Sequence, residues 1–445
     1  MKEAELMKIH KKCCEKKLFI KNRKGDAIPV PMAFEPTVYN EDLFNSAIAL
    51  MPDFNSLVDI LSENLEFLDL IQKELEGTDS FMESLFKLHK ESIKSSFNKK
   101  IVAGLSRNDF LVSNQKLYQV ELNTLSCSFM ALSQRISELY RELYPTTKIP
   151  INHSLEGSAE LFRCIHQVYS NEYSSKDSVI LVLTQENERN SWDQEHLLNE
   201  IKLPLIKKTF KDINGNLTMN QENGKLELEG LEISAVYFRT GYVPQDYFSN
   251  EAECWNTRAL IEKSRAVKVP NVGYQLIGKK IVQQLLKDPL TFQKFTNGQF
   301  LNIPKCFTGL WSCKDKEAVQ MAVRCPENFV LKPQRDGGSN NLYGDDLLKA
   351  LNDPNINKSA FTLMEFIKSP TMTNSLISFS SEGVENTEIN VEVVCELGIY
   401  GSFLKLKGKN ILNKGTGYLL RTKNKKSKES GIMAGFGYFD SPSFL

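Results

Sequence analysis

The chain has 445 residues, enough for two or more closely packed subdomains. A hydrophobic share of 41% and a charged share of 25% are those of an ordinary water-soluble globular protein. Lys plus Arg number 55 and so do Asp plus Glu; the zero net charge argues against a bulk nucleic-acid or membrane-surface role, although the basic run Lys423 to Lys428 is a local patch.

No apolar run approaches the roughly 20 residues that span a bilayer. The opening MKEAELMKIHKKCCEKK is charged throughout and has no apolar h-region, so no secretory signal is visible and a cytoplasmic location is expected. The nine Cys show no regular framework and no CxxC pair, which reads as free thiols in a reducing compartment. The five His lack metal-ligand spacing, and no zinc site is expected.

Residues 1 to 100 read as helical. Leu57, Ile60, Leu61, Leu65, Leu68, Leu70 and Ile71 come close to a helical period between Phe54 and Leu75, and Phe81 to Ile93 continues in the same style. These segments predict an amphipathic layer over a sheet. Leu117 to Leu122, the apolar run Ser178 to Thr184 and Ile233 to Phe238 then read as strands separated by helices, an α/β pattern with buried strands. Asn214 to Gly230, rich in Gly and Asn, predicts turns or a hairpin. Phe329 to Lys332, Phe361 to Ile367, Ile389 to Leu397 and Ser402 to Lys407 read as closely spaced strands in antiparallel pairs. Arg421 to Ser430 is polar, without apolar periodicity, and reads as a surface loop.

The first chemical signal is KPQRDGGSNNLYG, from Lys332 to Gly344. A strand ends on Lys332, a point charge suited to phosphate. Gly337 and Gly338 allow close backbone approach, and successive N–H groups in such a turn can form an anion nest. Asp336 is a possible Mg²⁺ ligand. The loop is not a Walker A motif, and an ordinary Gly-containing hairpin is the competing interpretation. A second signal is Glu121-Leu-Asn123: on a strand these two oxygen donors share a face, with Val120 and Leu122 on the other. A solvated strand face would look similar. Third, Glu188, Arg189, Asn190 and Gln194, and then Arg239 and Tyr242, follow the carboxyl ends of apolar strands, where open α/β sheets bind ligands. Arg239 suits a carboxylate, and loop polarity is the plain alternative. Ser126-Cys127-Ser128 reads as a substrate-holding turn, since no base for a nucleophilic Cys lies nearby in sequence.

The stretches GLSRNDF, VELNTLSCSF, QENERNSWDQ, VYFRTGY, VLKPQRDGGSNNLYG, LMEFI, CELGIYG and GYLLRTK, in this order from about Asp53 to the end, resemble the eukaryotic glutathione synthetase family of ATP-grasp ligases. The resemblance implies an α/β ATP-grasp fold with antiparallel sheet subdomains, an inserted parallel α/β substrate-binding subdomain and a helical N-terminal layer. The expected divisions are 1–110, 111–175, 176–275 and 276–445. It also implies ligation of γ-glutamylcysteine to glycine through an acyl phosphate, with ATP and two Mg²⁺, in a homodimer that binds no nucleic acid and no membrane.

By the same resemblance, Arg107 and Arg421 act on the reacting carboxylate and phosphoryl group. Ser126, Ser128, Glu188, Arg189, Asn190, Gln194, Arg239, Thr240, Gly241 and Tyr242 hold the dipeptide, with Leu125 and Cys127 reaching it through the backbone. Ile432 and Met433 close over the acceptor. Lys280, Lys332, Gly337, Gly338, Asn341, Tyr343, Met364, Glu365, Phe366, Ile367, Glu396, Lys423 and Glu429 hold ATP. Glu121, Asn123 and Asp336 ligate the metals. The sequence departs from the family at Asp336 (usually Glu), Ser339 (Gly), Thr240 (acidic) and Met433 (Ala). These departures motivate two alternatives: a ligase with another acceptor amino acid, or a catalytically weak binding or effector protein.

Overall fold

The computed structural model describes residues 3–97, 100–247, 251–334 and 340–445. Its largest sheet grows from strand Ile101–Ser113, which pairs antiparallel with Lys116–Asn123 on one side and with Val384–Leu406 on the other. Lys409–Asn424 follows on Val384–Leu406, and the short strands Tyr438–Asp440, Met32–Ala33 and Met372–Phe379 complete the order. Strand alternation sends Leu397, Ile399, Tyr418 and Leu420 into one core, shared with Phe54, Leu57 and Leu61 of helix Glu41–Glu63. Tyr400 and Leu419 enter a second core with Ile136 of helix Met130–Leu143 and Phe162 of helix Ser154–Tyr173. Each such buried side chain contributes roughly 1.5–3 kcal/mol of hydrophobic stabilisation.

The parallel unit is built as its apolar runs predict. Strands Leu205–Lys208, Val179–Leu183, Leu231–Phe238 and Val267–Val269 all run parallel, and Val179–Leu183 is buried along its whole length. The hairpin expected within Asn214 to Gly230 is present as Leu217–Met219 and Leu226–Leu228. A third, antiparallel sheet is formed by Leu310–Ser312, Phe361–Glu365 and Phe329–Pro333. The architecture is therefore α/β with antiparallel sheets, a parallel unit and N-terminal helices. Among the described residues, no helix is long and apolar enough to cross a membrane.

Four expectations need correction. The N-terminal layer is interrupted by strands Phe19–Lys21, Ala27–Pro29, Met32–Ala33 and Thr37–Val38, because Pro29, Pro31 and Pro36 exclude a continuous helix there. The stretch Phe54 to Leu75 is two helices, since Asn64 leaves the helical conformation and its side chain accepts the Phe67 N–H at 3.0 Å as an N-cap. Ile389 to Leu397 and Ser402 to Lys407 are parts of one strand, Val384–Leu406. Gly398 and Gly401 lie inside that strand and serve close packing: a Cβ on Gly401 would lie 2.5 Å from Asn55 Oδ1. Finally, Arg421 to Asn424 ends strand Lys409–Asn424 and is not loop, and Arg421 is buried. Its charge is matched inside the protein, which a hydropathy pattern does not register. A smaller shift ends the Phe361 strand at Glu365.

Candidate active site

Four adjacent strands carry a row of charged side chains across one face of the large sheet. Asn123 pairs in register with Arg107, Glu121 with Asp109, Asp109 with Gly398, and Glu396 with Arg421. Asp109 is fully buried. Its Oδ1 accepts Arg107 Nε at 2.6 Å, and its Oδ2 accepts Arg107 Nη2 at 2.8 Å, Arg421 Nη2 at 2.9 Å and Asn123 Nδ2 at 3.0 Å. Arg421 also bonds Glu396, whose other oxygen takes the Ser430 hydroxyl. Asn123 Nδ2 lies 3.3 Å from Glu121 Oε1, so the two predicted metal ligands share a face. The register slips by one residue beside Asp109, making Val120 the extra residue of a bulge rather than a regular member of the opposite face. Burial raises the Glu121 carboxyl, but Lys280, Lys332, Arg421 and Arg107 outweigh it and hold it down at about 2.

Beside this row opens a cavity of about 400 Å³. One end is apolar, with Val330 and Met364 from the third sheet and Phe366 and Ile367 just past its strand Phe361–Glu365. The other gathers Lys280 at the start of helix Lys280–Leu286, Lys332 at the end of Phe329–Pro333, and Arg421 and Lys423. Among the described lining residues, seven cationic side chains face four carboxylates, an excess that suits a polyanion. Lys332 Nζ donates to the Val120 carbonyl at 2.9 Å. Burial lowers the ammonium pKa of both Lys332 and Lys423. Asn341 Nδ2 and the Tyr343 hydroxyl reach Glu429 at 3.0 and 3.1 Å, tying the turn after Lys423 to the mouth of the cavity. Glu365 lines the cavity too, but its carboxylate is engaged by Thr308 Oγ1 at 2.8 Å and Gly309 N at 3.0 Å. Asp336, Gly337, Gly338 and Ser339 lie outside the described residues.

The remaining predicted residues form a second cluster where the parallel strands end. Arg239 is buried directly after Leu231–Phe238; its Nη2 donates to Ser128 Oγ at 2.8 Å and its Nη1 to the Cys127 carbonyl. Its Nε has no partner among the described residues. Ser126 adopts φ 53° and bonds the Phe238 carbonyl at 3.0 Å. Glu188 accepts the Asn190 N–H at 2.8 Å and the Gln194 amide. Thr240 and Gly241 are buried and Tyr242 half-buried, held by Asp246, whose Oδ2 accepts Gly241 N at 2.8 Å and Tyr242 N at 3.0 Å. Burial pushes the Cys127 thiol up to about 11, which suits packing rather than nucleophilic attack. Leu125 packs against the helical core.

The structure joins the two clusters at Ser128, whose carbonyl accepts Arg107 Nη1 at 3.3 Å and the Tyr400 hydroxyl at 2.6 Å. Arg189 turns away from the cluster and donates to the Met433 carbonyl at 3.0 Å, next to buried Ile432. Sequence reasoning missed Asp109, Tyr400 and Asp246. Asp109 had a legible signal, because Arg107-Asn-Asp109 on a strand puts opposite charges on one face. Asp246 had none, since its partners are backbone N–H groups and the side chain of Gln185, far away in sequence. Among the described residues, no group of three His, Cys, Asp or Glu could hold a metal.

A cationic cavity and a polar cluster around buried Arg239 thus lie side by side on an α/β scaffold, linked through Ser128 and Arg107. The family model for the ATP-binding domain of eukaryotic glutathione synthase matches residues 7–444. The chain is 35% identical to the glutathione synthetase of Dictyostelium discoideum, covering 95% of this chain and 93% of that one. It is 36% identical to the chloroplastic enzyme of Solanum lycopersicum, over 94% of this chain and 78% of that one, and 32% identical to the human enzyme, over 93% and 89%. The solved structure of a glutathione synthetase-like effector from Globodera pallida, in apo form, shares the fold at a TM-score of 0.75 and 19% identity, covering 100% of this chain and 97% of that one. The chain belongs to the eukaryotic glutathione synthetase family.

Proposed function

We propose that the protein is an ATP-dependent ligase that joins γ-glutamylcysteine to glycine to form glutathione. The observation that carries this assignment is the junction at Ser128, where the row holding Arg107 and Arg421 meets the Arg239 cluster. ATP takes the cationic cavity, its base toward Met364 and Ile367 and its phosphates toward Lys280 and Lys332. Asn341, Tyr343, Glu396, Lys423 and Glu429 frame it. The dipeptide takes the second cluster, with Arg239 as its carboxylate or amide anchor and its reacting carboxylate toward Arg107.

A carboxylate oxygen attacks the γ-phosphorus, ADP leaves, and an acyl phosphate remains. The acceptor amine then attacks the carbonyl carbon, and phosphate leaves as the peptide bond forms. Arg107 and Arg421 neutralise charge that builds on the phosphoryl oxygens, so catalysis is mainly positioning and electrostatics. The turn carrying Ile432 and Met433 excludes water from the acyl phosphate. Glu121, fully ionised beside Asn123, fits the preference of Mg²⁺ for a carboxylate plus phosphate oxygens, and Asp336 would add to that pair. There Mg²⁺ would lower the charge on the phosphates. The four-segment division and a homodimer are carried over from the family resemblance, and a cytoplasmic location from the reading of the scattered Cys as free thiols.

The test is coupled ADP release. ADP should appear only when γ-glutamylcysteine and an acceptor are both present, with glycine preferred. No ADP at millimolar substrates with Mg²⁺ contradicts the assignment.

A further inference from the structure

Asp109 touches neither proposed substrate pocket directly, yet four side-chain N–H donors converge on its carboxylate. Three come from the two arginines at the junction, and the fourth from Asn123. Opposite it in the sheet stands Gly398, where an added Cβ would lie 2.6 Å from Asp109 Oδ1 and 2.8 Å from Arg107 Cδ. The bare face of that glycine is the seat on which the Arg107–Asp109 pair rests.

We infer that Asp109, seated on Gly398, is the positioning residue that holds Arg107 and Arg421 together at the junction of the two pockets. The inference rests on the ligase assignment above. Two guanidinium groups side by side repel each other and lose their preferred geometry unless a fixed anion joins them. Asp109 meets Arg107 with both oxygens, which fixes the plane of that guanidinium. Its Oδ2 also takes Arg421, which fixes the spacing between the two. Arg107 Nη1 remains directed at the Ser128 carbonyl, and Arg421 Nε has no partner among the described residues. From this locked position Arg421 lines the cavity and Arg107 reaches Ser128. Asp109 also holds Asn123, so the same carboxylate aligns the edge of the predicted metal site.

Two substitutions perturb this seat by different physics. Asp109→Asn keeps the size but places an amide N–H₂ against guanidinium donors. Gly398→Ala keeps every charge but pushes a methyl group into the pair. Both should lower kcat by about 10²-fold, the cost of displacing reacting groups by about 1 Å. Affinity for ADP, measured by calorimetry, should stay at the wild-type value, because the adenine end and Lys332 are untouched. A residue needed only for folding would lower the yield of ADP-binding protein and leave turnover per ADP-binding site unchanged. If Asp109→Asn does not fold, Gly398→Ala carries the test. A variant that binds ADP and turns over at the wild-type rate overturns the inference. A wild-type protein that releases no ADP overturns the ligase assignment instead, so the two failures are distinguishable.

Discussion

In the proposed nucleotide cavity, seven cationic side chains face four carboxylates among the described residues, and buried Lys332 and half-buried Lys423 have lowered pKa values. Around Arg239 the same kind of charge is already built into the fold: the guanidinium bonds Ser128 and the Cys127 carbonyl, and Asp246 clamps the following backbone. The cavity gains its stabilisation when a polyanion arrives. The Arg239 cluster is organised beforehand by its own hydrogen bonds. Loss of charge should therefore dominate defects in the first region, and loss of geometry those in the second.

The largest expected effect is at Lys332. Replacing it with Met removes a buried cation from the phosphate end, and kcat/KM for ATP should fall about 10²–10³-fold, the scale of one lost transition-state donor. Steady-state kinetics at saturating dipeptide measures this; a fall of less than tenfold would show that the cavity does not work through that charge. Arg239→Lys should come next. It keeps the charge but not the planar fork, so the KM for γ-glutamylcysteine should rise roughly 10-fold or more, in line with the loss of a charge-assisted hydrogen bond, while the Kd for ADP stays constant. Equal changes in both constants would break the distinction between the two regions.

A pH titration sharpens the contrast. Burial depresses Lys332 and Lys423 in the free protein, and bound phosphates raise both again. Nucleotide binding should take up protons in the alkaline range below the ordinary lysine pKa, and affinity should fall as pH rises through that range. Calorimetry in buffers of different ionisation enthalpy reads the proton uptake. Dipeptide affinity should not share this dependence through Arg239, whose guanidinium stays protonated.

How much of this was readable without coordinates differs between the same two regions. Strand ends and glycine loops announce themselves locally, so Lys332, Glu121 and Arg239 stood out from the sequence. The family resemblance supplied Asn341, Glu396 and Arg421, which lie in three separate stretches, and the sheet register places Glu396 and Arg421 opposite each other. Arg421 was assigned to a loop, because its burial depends on Asp109, a long way off in sequence. The need for Gly398 was not legible, because the side chains that rest on its bare face lie on another strand. Local pattern carries the identity of a charged residue, whereas partnership across a sheet depends on register.

Smaller effects are expected away from the junction. Met433→Ala opens space in the proposed acceptor loop and should change selectivity between glycine and larger amino acids by about 10-fold or more, the range of one or two methylenes. Acceptor-dependent phosphate release measures this, and an unchanged ratio would place the acceptor elsewhere. The smallest effect concerns stability alone. Burial pushes the Asp440 carboxyl up to about 6 despite hydrogen bonds from Thr37, Thr422 and Ser441. A carboxyl whose folded pKa exceeds its unfolded value of about 3.9 binds protons more tightly when folded. It should contribute about 2–3 kcal/mol of stability below pH 4 that is lost as pH rises through 6. Urea titrations between pH 4 and 7 should show this slope in the wild type and lose it in Asp440→Asn.

The central claim is that the two regions act on one reaction through an acyl phosphate at the junction. Isotope transfer tests it directly. With γ-glutamylcysteine labelled by ¹⁸O in its cysteinyl carboxylate, turnover should place one ¹⁸O atom in each phosphate released, because the bridging oxygen leaves with phosphorus. Glutathione formed with unlabelled phosphate would contradict the account.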